Sequence, residues 1–345
     1  MQRRPQIKAT QPIKKTVNTR AKSQAPAVAS QQRRPDVGEF ICNKQQRLEA
    51  IGDFRQCKDK CLKHILTNAE KLFQPKKIHQ QGDWLISNKE KNQTFESYQK
   101  PGVKNLVTPQ RNKIYIFVID PKIDNQFAEK LRKYCTAFYT DMIVEIKRPE
   151  SETFLEDLEV PNRESLWGKQ YNAISILNKV NKMVPSDAYC MLTVTMQDIY
   201  PYDSWLYVFG WANYVSRTGV FSFVRYQSDF SPLSKLLAGF QPEPTEEQIK
   251  KENNELLENA CYVMVHEIGH MYGLTHCTFY ECIMNGFNSF QEQKRFKRYL
   301  CPVCLRKLQS NMQFDVKRRF RDMQKICEEY EFQEMAEYYA KAAKY

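Results

Sequence analysis

Apolar residues in the middle of the chain recur with two different periods. The run Ile114–Ile119 is short, continuous and rich in β-branched residues, and it is bounded by Asn112 and the Asp120-Pro121 pair. That pattern predicts a buried strand. Phe127, Leu131, Tyr134, Cys135 and Phe138 then mark one face of a helix, and Met142–Ile146 reads as a second strand. A further helix is predicted over 170–183 from Ile174, Ile176, Leu177, Val180 and Met183, ended by the Pro185-Ser186 turn. Three strand-like segments follow in close succession, at 190–196, 206–211 and 219–226. Strands separated by helices, then strands one after another, predict an α/β fold with a mixed sheet: parallel members and at least one hairpin-connected antiparallel edge. Thr245 with Gln248 three residues on is a capping-box signal that opens a long helix through 246–272. Phe54, Cys57, Cys61, Ile65, Ala69 and Leu72 predict a short amphipathic helix over 53–72, and Phe320, Met323, Ile326, Cys327 and Tyr330 a charged C-terminal helix within 314–343.

Charge divides the chain differently. Nine Lys and Arg and no Asp or Glu lie in residues 1–35, so most of the net +12 sits in one basic tail. Gln, Pro, Ala and Lys interrupt its few apolar residues, so it cannot bury enough surface to offset its ordering entropy and reads as disordered. Residues 36–111 read as a helical and irregular lead-in, 112–313 as the main domain and 314–345 as the C-terminal helix. With the positive charge on a loose arm, nucleic-acid binding is disfavoured. No apolar run is long enough to span a bilayer, so no membrane is expected. No secretory signal is evident, and a reducing compartment, cytoplasmic or nuclear, is the expectation. Oligomeric state leaves no signal.

Candidate chemistry concentrates in one string. Three of the five histidines fall in H-E-I-G-H-M-Y-G-L-T-H at 266–276, at the end of the long helix. Residues four apart on a helix share a face, so His266 and His270 present their imidazoles to a common point and read as two zinc ligands. Glu267 is offset by one position, which disfavours ligation but lets its carboxylate reach a water at the metal as general base. A third ligand requires the helix to stop and turn. Gly273 tolerates the left-handed conformation that ends helices, after which His276 can swing back. Three neutral imidazoles leave zinc an open position for water.

Cysteines follow at once, in C-T-F-Y-E-C at 277–282 and C-P-V-C at 301–304. Two short-spaced pairs in a reducing compartment predict a closed structural zinc at Cys277, Cys282, Cys301 and Cys304, stabilising a small subdomain over 277–313. Two zinc ions per chain are therefore expected, one catalytic and one structural. Met284 reads as core packing under the metal site. Cys57 and Cys61 lack further partners and read as buried thiols, and nothing around Cys42 supports a cysteine-switch propeptide.

The string H-E-x-x-H-x-x-G-x-x-H-C-x4-C-x-M, followed sixteen residues later by C-x-x-C, resembles the archaemetzincins. The flanking segments D-I-Y-P-Y-D-S-W at 198–205, V-F-G at 208–210 and F-S-F-V-R-Y-Q-S-D-F at 221–230 look like the eukaryotic branch. The resemblance spans roughly residues 82–310. Some archaemetzincin patterns place one more residue before the last C-x-x-C, a loop difference that leaves every ligand in place. The resemblance implies a metzincin fold: a twisted mixed sheet and backing helices above the cleft, an active-site helix below it, and a smaller C-terminal subdomain. It also implies catalytic zinc at His266, His270 and His276, general base Glu267, a Met-turn at Met284, and hydrolysis of peptide or protein substrates, including aminopeptidase action on short peptides. The other reading is a zinc-stabilised interaction protein that turns nothing over. An intact Glu267 weighs for the enzyme, because an adaptor has no need of a base beside the metal. Substrate alignment along an edge strand near 206–211 is a further expectation.

Overall fold

In a computed structural model of the protein, residues 41–231, 234 and 243–345 are described, and the basic tail at 1–35 lies outside them. Among these residues eight strands form two sheets. They are β1 (Lys113–Val118), β2 (Ile143–Lys147), β3 (Asn162–Ser165), β4 (Gly168–Asn172), β5 (Ala188–Thr195), β6 (Asp198–Tyr200), β7 (Gly210–Asn213) and β8 (Thr218–Ser222). The larger sheet has the order β2-β1-β5-β8-β7. Its first four strands are parallel, and β7 closes one edge antiparallel to β8. This is the mixed α/β sheet predicted from the alternation of periods.

Helices cover both faces of that sheet, which is why β1 and β5 are buried along their length and read as mostly apolar runs. Alternate residues of β1 go to opposite layers. Ile114, Ile116 and Val118 pack with Leu131, Tyr134 and Phe138 of the Asn125–Phe138 helix and with the long helix Glu246–Met271. Tyr115 and Phe117 pack with Ile176, Leu177 and Val180 of the Ala173–Val180 helix.

Several element boundaries differ from the sequence reading. Residues 170–183 hold the end of β4, a helix only over Ala173–Val180 and a 3-10 turn at Asn181–Met183. The helix begins late because the Asn172 side chain caps it by accepting from Ser175 N. Asp59 likewise caps a helix that starts at Lys60 rather than near Asp53. The C-terminal helix is two, Val316–Glu329 and Gln333–Ala342, broken where Glu331 takes a positive φ of 57°. Pro302 opens an unpredicted helix to Met312, so C-P-V-C lies at a helix start. The three-stranded sheet β3-β4-β6 was also unpredicted.

The long helix has the anticipated capping box between Thr245 and Gln248. Its first half is polar and largely exposed. From Leu257 to Met271 it is buried on nearly all sides between the sheet and the C-terminal helices. Residues 41–105 are not a loose approach to this core. Pro75 pairs with Tyr280 in a β-bridge, Lys76 N donates to Phe279 O (3.1 Å), and Glu281 N donates to Gln74 O (2.9 Å). Lys76 is buried over the Phe296 ring and 3.6 Å from Glu281, joining the lead-in to the cysteine loop.

Candidate metal centre

The end of the long helix places His266 and His270 one turn apart on one face, with Nε2 atoms 3.1 Å from each other. The chain then reverses at Gly273, whose φ is +85°. A Cβ here would stand 2.3 Å from the Val103 carbonyl oxygen and 3.1 Å from Lys104 Cα, so both conformation and packing require glycine. His276 follows the reversal, and the ligand atoms of the three histidines all lie within 4.8 Å of one another.

Tautomers follow from the outer partners. His266 Nδ1 faces Ile283 O and His270 Nδ1 faces Leu274 O, each at 2.7 Å. A carbonyl only accepts, so both Nδ1 atoms carry the proton and both Nε2 atoms point lone pairs into the same space. Burial depresses both imidazoles: His266 lies well below the usual range, and His270 is brought down to about 3. Neutral rings with converging lone pairs and no proton between them repel unless a cation occupies the centre. Zinc with nitrogen ligands at roughly 2.0–2.1 Å fits this spacing.

The sulfur set fits as well. Ligand atoms of Cys277, Cys282, Cys301 and Cys304 lie within 4.8 Å of one another, and all four residues are buried. Cys277 Sγ and Cys301 Sγ are 3.6 Å apart, near the edge of a tetrahedron with Zn–S of about 2.3 Å. Cys282 Sγ accepts from Met284 N (3.5 Å) and Cys301 N (3.3 Å), while burial pushes the Cys282 and Cys301 thiols well above their usual range. Hydrogen bonding from Cys282, Cys301 and Cys304 holds the Cys277 thiol well below its usual range. Two candidate metal-ligand clusters are thus joined by the single peptide unit between His276 and Cys277.

Met284 lies between the clusters. Its Sδ would stand 2.6 Å from a Cβ at Gly269, so Met284 packs tightly under the helix between the two histidines. Met284 O accepts from Cys277 N at 2.7 Å, tying the turn to the cysteine loop. Glu267 is half-buried and points into the cleft. Among the described residues it makes no hydrogen bond or ion pair, and burial pushes its carboxyl up to about 8. The cleft holds about 630 Å³, floored by Glu267, His270 and His276 and bordered by Gly210, Trp211 and Ala212 of β7.

Residues 243–310 match the model of peptidase family M54. Over 324 residues the chain is 32% identical to archaemetzincin-2 of Mus musculus, a match covering 90% of this chain and 85% of that protein. The chain belongs to the archaemetzincin family. It is a zinc metallopeptidase. Archaemetzincin-2 of Homo sapiens is 33% identical over 267 residues, covering 73% of this chain and 74% of the relative. A crystal structure of archaemetzincin from Methanopyrus kandleri superposes with a TM-score of 0.43 at 22% identity, covering 60% of this chain and 98% of that one.

In this archaemetzincin the third histidine has a partner that sequence reasoning did not single out. Glu90 Oε1 lies 2.7 Å from His276 Nδ1 and accepts from Trp84 Nε1 at 2.6 Å. His276 therefore also keeps its proton on Nδ1 and directs Nε2 inward. Despite burial, the bond from His276 helps hold the Glu90 carboxyl below its usual range. Glu90 sits in K-E-K-N-Q, a stretch that looks like any solvated loop. Gln93 is a second such residue: its Nε2 donates to Gly273 O (3.0 Å) and its Oε1 accepts from Thr275 N (3.2 Å), fixing the reversal before His276.

Proposed function

We propose that this chain hydrolyses peptide bonds at a zinc held by His266, His270 and His276, with Glu267 as general base and a second, structural zinc at Cys277, Cys282, Cys301 and Cys304. The observation that carries this reading is the convergence of the three imidazoles of His266, His270 and His276 beside the unpaired carboxyl group of Glu267 on the floor of an open cleft. When bound there, zinc supplies a Lewis acid for the scissile carbonyl and brings the pKa of its water to about 7. Glu267 takes the proton from the attacking water and delivers it to the leaving amine. Met284 serves as the Met-turn, and the antiparallel edge above the cleft with the active-site helix below it is the layout expected of a metzincin.

The substrate adds to the free edge of β7. Ser222 N bonds to Phe209 O, and the register pairs Trp211 with Val220, so Phe209, Trp211 and Asn213 turn their backbone groups toward β8. Gly210 and Ala212 then offer theirs to a peptide in the cleft. A peptide antiparallel to β7 has its amino end toward Tyr214, which lines the cleft and whose hydroxyl donates to the Val103 carbonyl. Contacts at that end with the substrate's amino terminus would give aminopeptidase action on short peptides.

Metal removal tests the assignment. The purified chain is expected to carry two zinc ions, and brief treatment with 1,10-phenanthroline to remove the histidine-held one first, with all peptide cleavage. Metal analysis showing one zinc or none in the untreated protein, or cleavage surviving that loss, would overturn it. Glu90→Gln tests how the third ligand is held. Zinc affinity at the histidine site is expected to fall about 10- to 100-fold while the thiolate-held zinc stays. Competition with a chromophoric chelator reads both sites, and an unchanged affinity would exclude Glu90 from the centre.

A further inference from the structure

Facing the rim of the cleft is an aromatic group that the proposed chemistry does not use. Tyr202, Trp205 and Trp211 stand edge to face around one another, with ring centroids 5.6–6.2 Å apart. Tyr202 and Trp205 are each 49% exposed, and Leu206 beside them is 68% exposed. Large aromatic rings left half in water on a rigid rim mark a recognition surface more often than a packing accident.

This rim is rigid. The loop 201–207 is fixed from beneath by Arg163, which lies 3.9 Å over the Tyr200 ring and donates to the carbonyls of Asp203, Trp205 and Leu206. Gln170 Nε2 donates to Leu206 O (2.9 Å) and to Asp198, whose carboxylate is bonded in turn by the buried Arg225 guanidinium at 2.6 Å. The Arg225 guanidinium lies against the rings of Tyr207 and Trp167. Buried charge and the small sheet β3-β4-β6 thus hold the aromatic loop in place before any ligand arrives, which lowers the ordering cost of binding.

Strand register connects the rings to the cleft. Trp211 packs on the face of the sheet that carries the Ala173–Val180 helix, whereas Ala212 faces the active-site helix. A peptide added to β7 exchanges hydrogen bonds with Gly210 and Ala212. Its residue opposite Trp211 forms a non-hydrogen-bonded pair, in which side chains on one face approach most closely. That side chain lands beside Trp211, with Tyr202 and Trp205 around it. Its two neighbours point to the opposite face, toward Glu267 and the histidines.

We propose that Trp211, Tyr202 and Trp205 form a specificity subsite that selects peptides with an aromatic or large aliphatic side chain at one position, the one opposite Trp211. The proposal rests on the reading that substrate adds to the β7 edge. It assigns the substrate class: short peptides with one bulky apolar residue flanked by positions under no such demand.

The test uses the zinc-loaded full chain and fluorogenic peptides in which each position in turn is Phe or Ala. The Phe/Ala ratio of kcat/KM is taken on one protein sample, so any unfolded fraction cancels. Wild type is expected to favour Phe about tenfold at a single position. Trp211→Ala is expected to bring that ratio close to one, Trp205→Ala to an intermediate value, and Trp211→Phe to restore most of it, with ratios elsewhere unmoved. Cleavage with a flat profile, a preference that survives Trp211→Ala, or a loss spread over every position would overturn the subsite while leaving the peptidase reading intact. If no peptide is cleaved, that reading fails by itself, and titration of the same peptides by tryptophan fluorescence decides the subsite. Tighter Phe binding that Trp211→Ala removes supports it, and equal binding of the Phe and Ala peptides overturns it.

Discussion

Glu267→Gln is expected to lower peptide cleavage by about 10²- to 10⁴-fold, the usual contribution of a positioned general base. Glutamine keeps the shape and hydrogen-bonding capacity of the side chain but cannot accept the proton of water. The carboxylate has no protein partner among the described residues, so its replacement breaks no internal bond and stability is expected to hold. It is also not one of the three converging imidazoles, so the metal content is expected to remain at two per chain. Measuring kcat/KM on one fluorogenic peptide together with bound zinc separates the roles. Activity within tenfold of wild type would exclude Glu267 as the base, and loss of zinc on substitution would make it a ligand instead.

The largest effect on stability is expected from Cys301→Ser. This residue precedes Pro302 at the start of a buried helix, and its Sγ lies 3.6 Å from that of Cys277. Serine removes one thiolate from a closed set, and folding free energy at such sites is largely metal-binding free energy. The loss is expected to exceed about 4 kcal/mol, beyond the range of ordinary substitutions. Because Cys277 directly follows His276, disordering the cysteine loop also displaces the third histidine, and zinc at both clusters is expected to be lost. Urea unfolding with metal analysis checks this, and a variant with wild-type stability and two zinc ions would show that Cys301 is not needed to hold a structural metal.

Most of the candidate metal-ligand clusters was legible because it is local. His266, Glu267, His270, Gly273 and His276 lie within eleven residues, and helical periodicity followed by a glycine stop dictates their convergence. Four of the five strands of the main sheet were legible for a similar reason, β1 and β5 being buried on both faces and mostly apolar, whereas β7 runs over Gly210–Asn213 rather than the predicted 206–211. Glu90 was not, since it meets His276 across 186 residues and nothing in its own neighbourhood distinguishes it from a solvated glutamate. The strands β3 and β4, with the sequences Asn162–Ser165 and Gly168–Asn172, are too polar to read as strands. They are held instead by Arg163, Gln170 and the Asp198–Arg225 pair, partners scattered along the chain. The late helix starts at Lys60 and Ala173 show local caps overriding the apolar period: the side chains of Asp59 and Asn172 satisfy the first free N–H groups where the helices actually begin.

The distance in sequence between Glu90 and its histidine has a consequence for the birth of the protein. On a ribosome adding about 5–20 residues per second, the segment that carries Glu90 emerges long before the histidines, and the last cysteine later still. The nascent chain therefore holds an acceptor with nothing to orient until the histidines have followed it out, and the full set of candidate ligands exists only once Cys304 has been made.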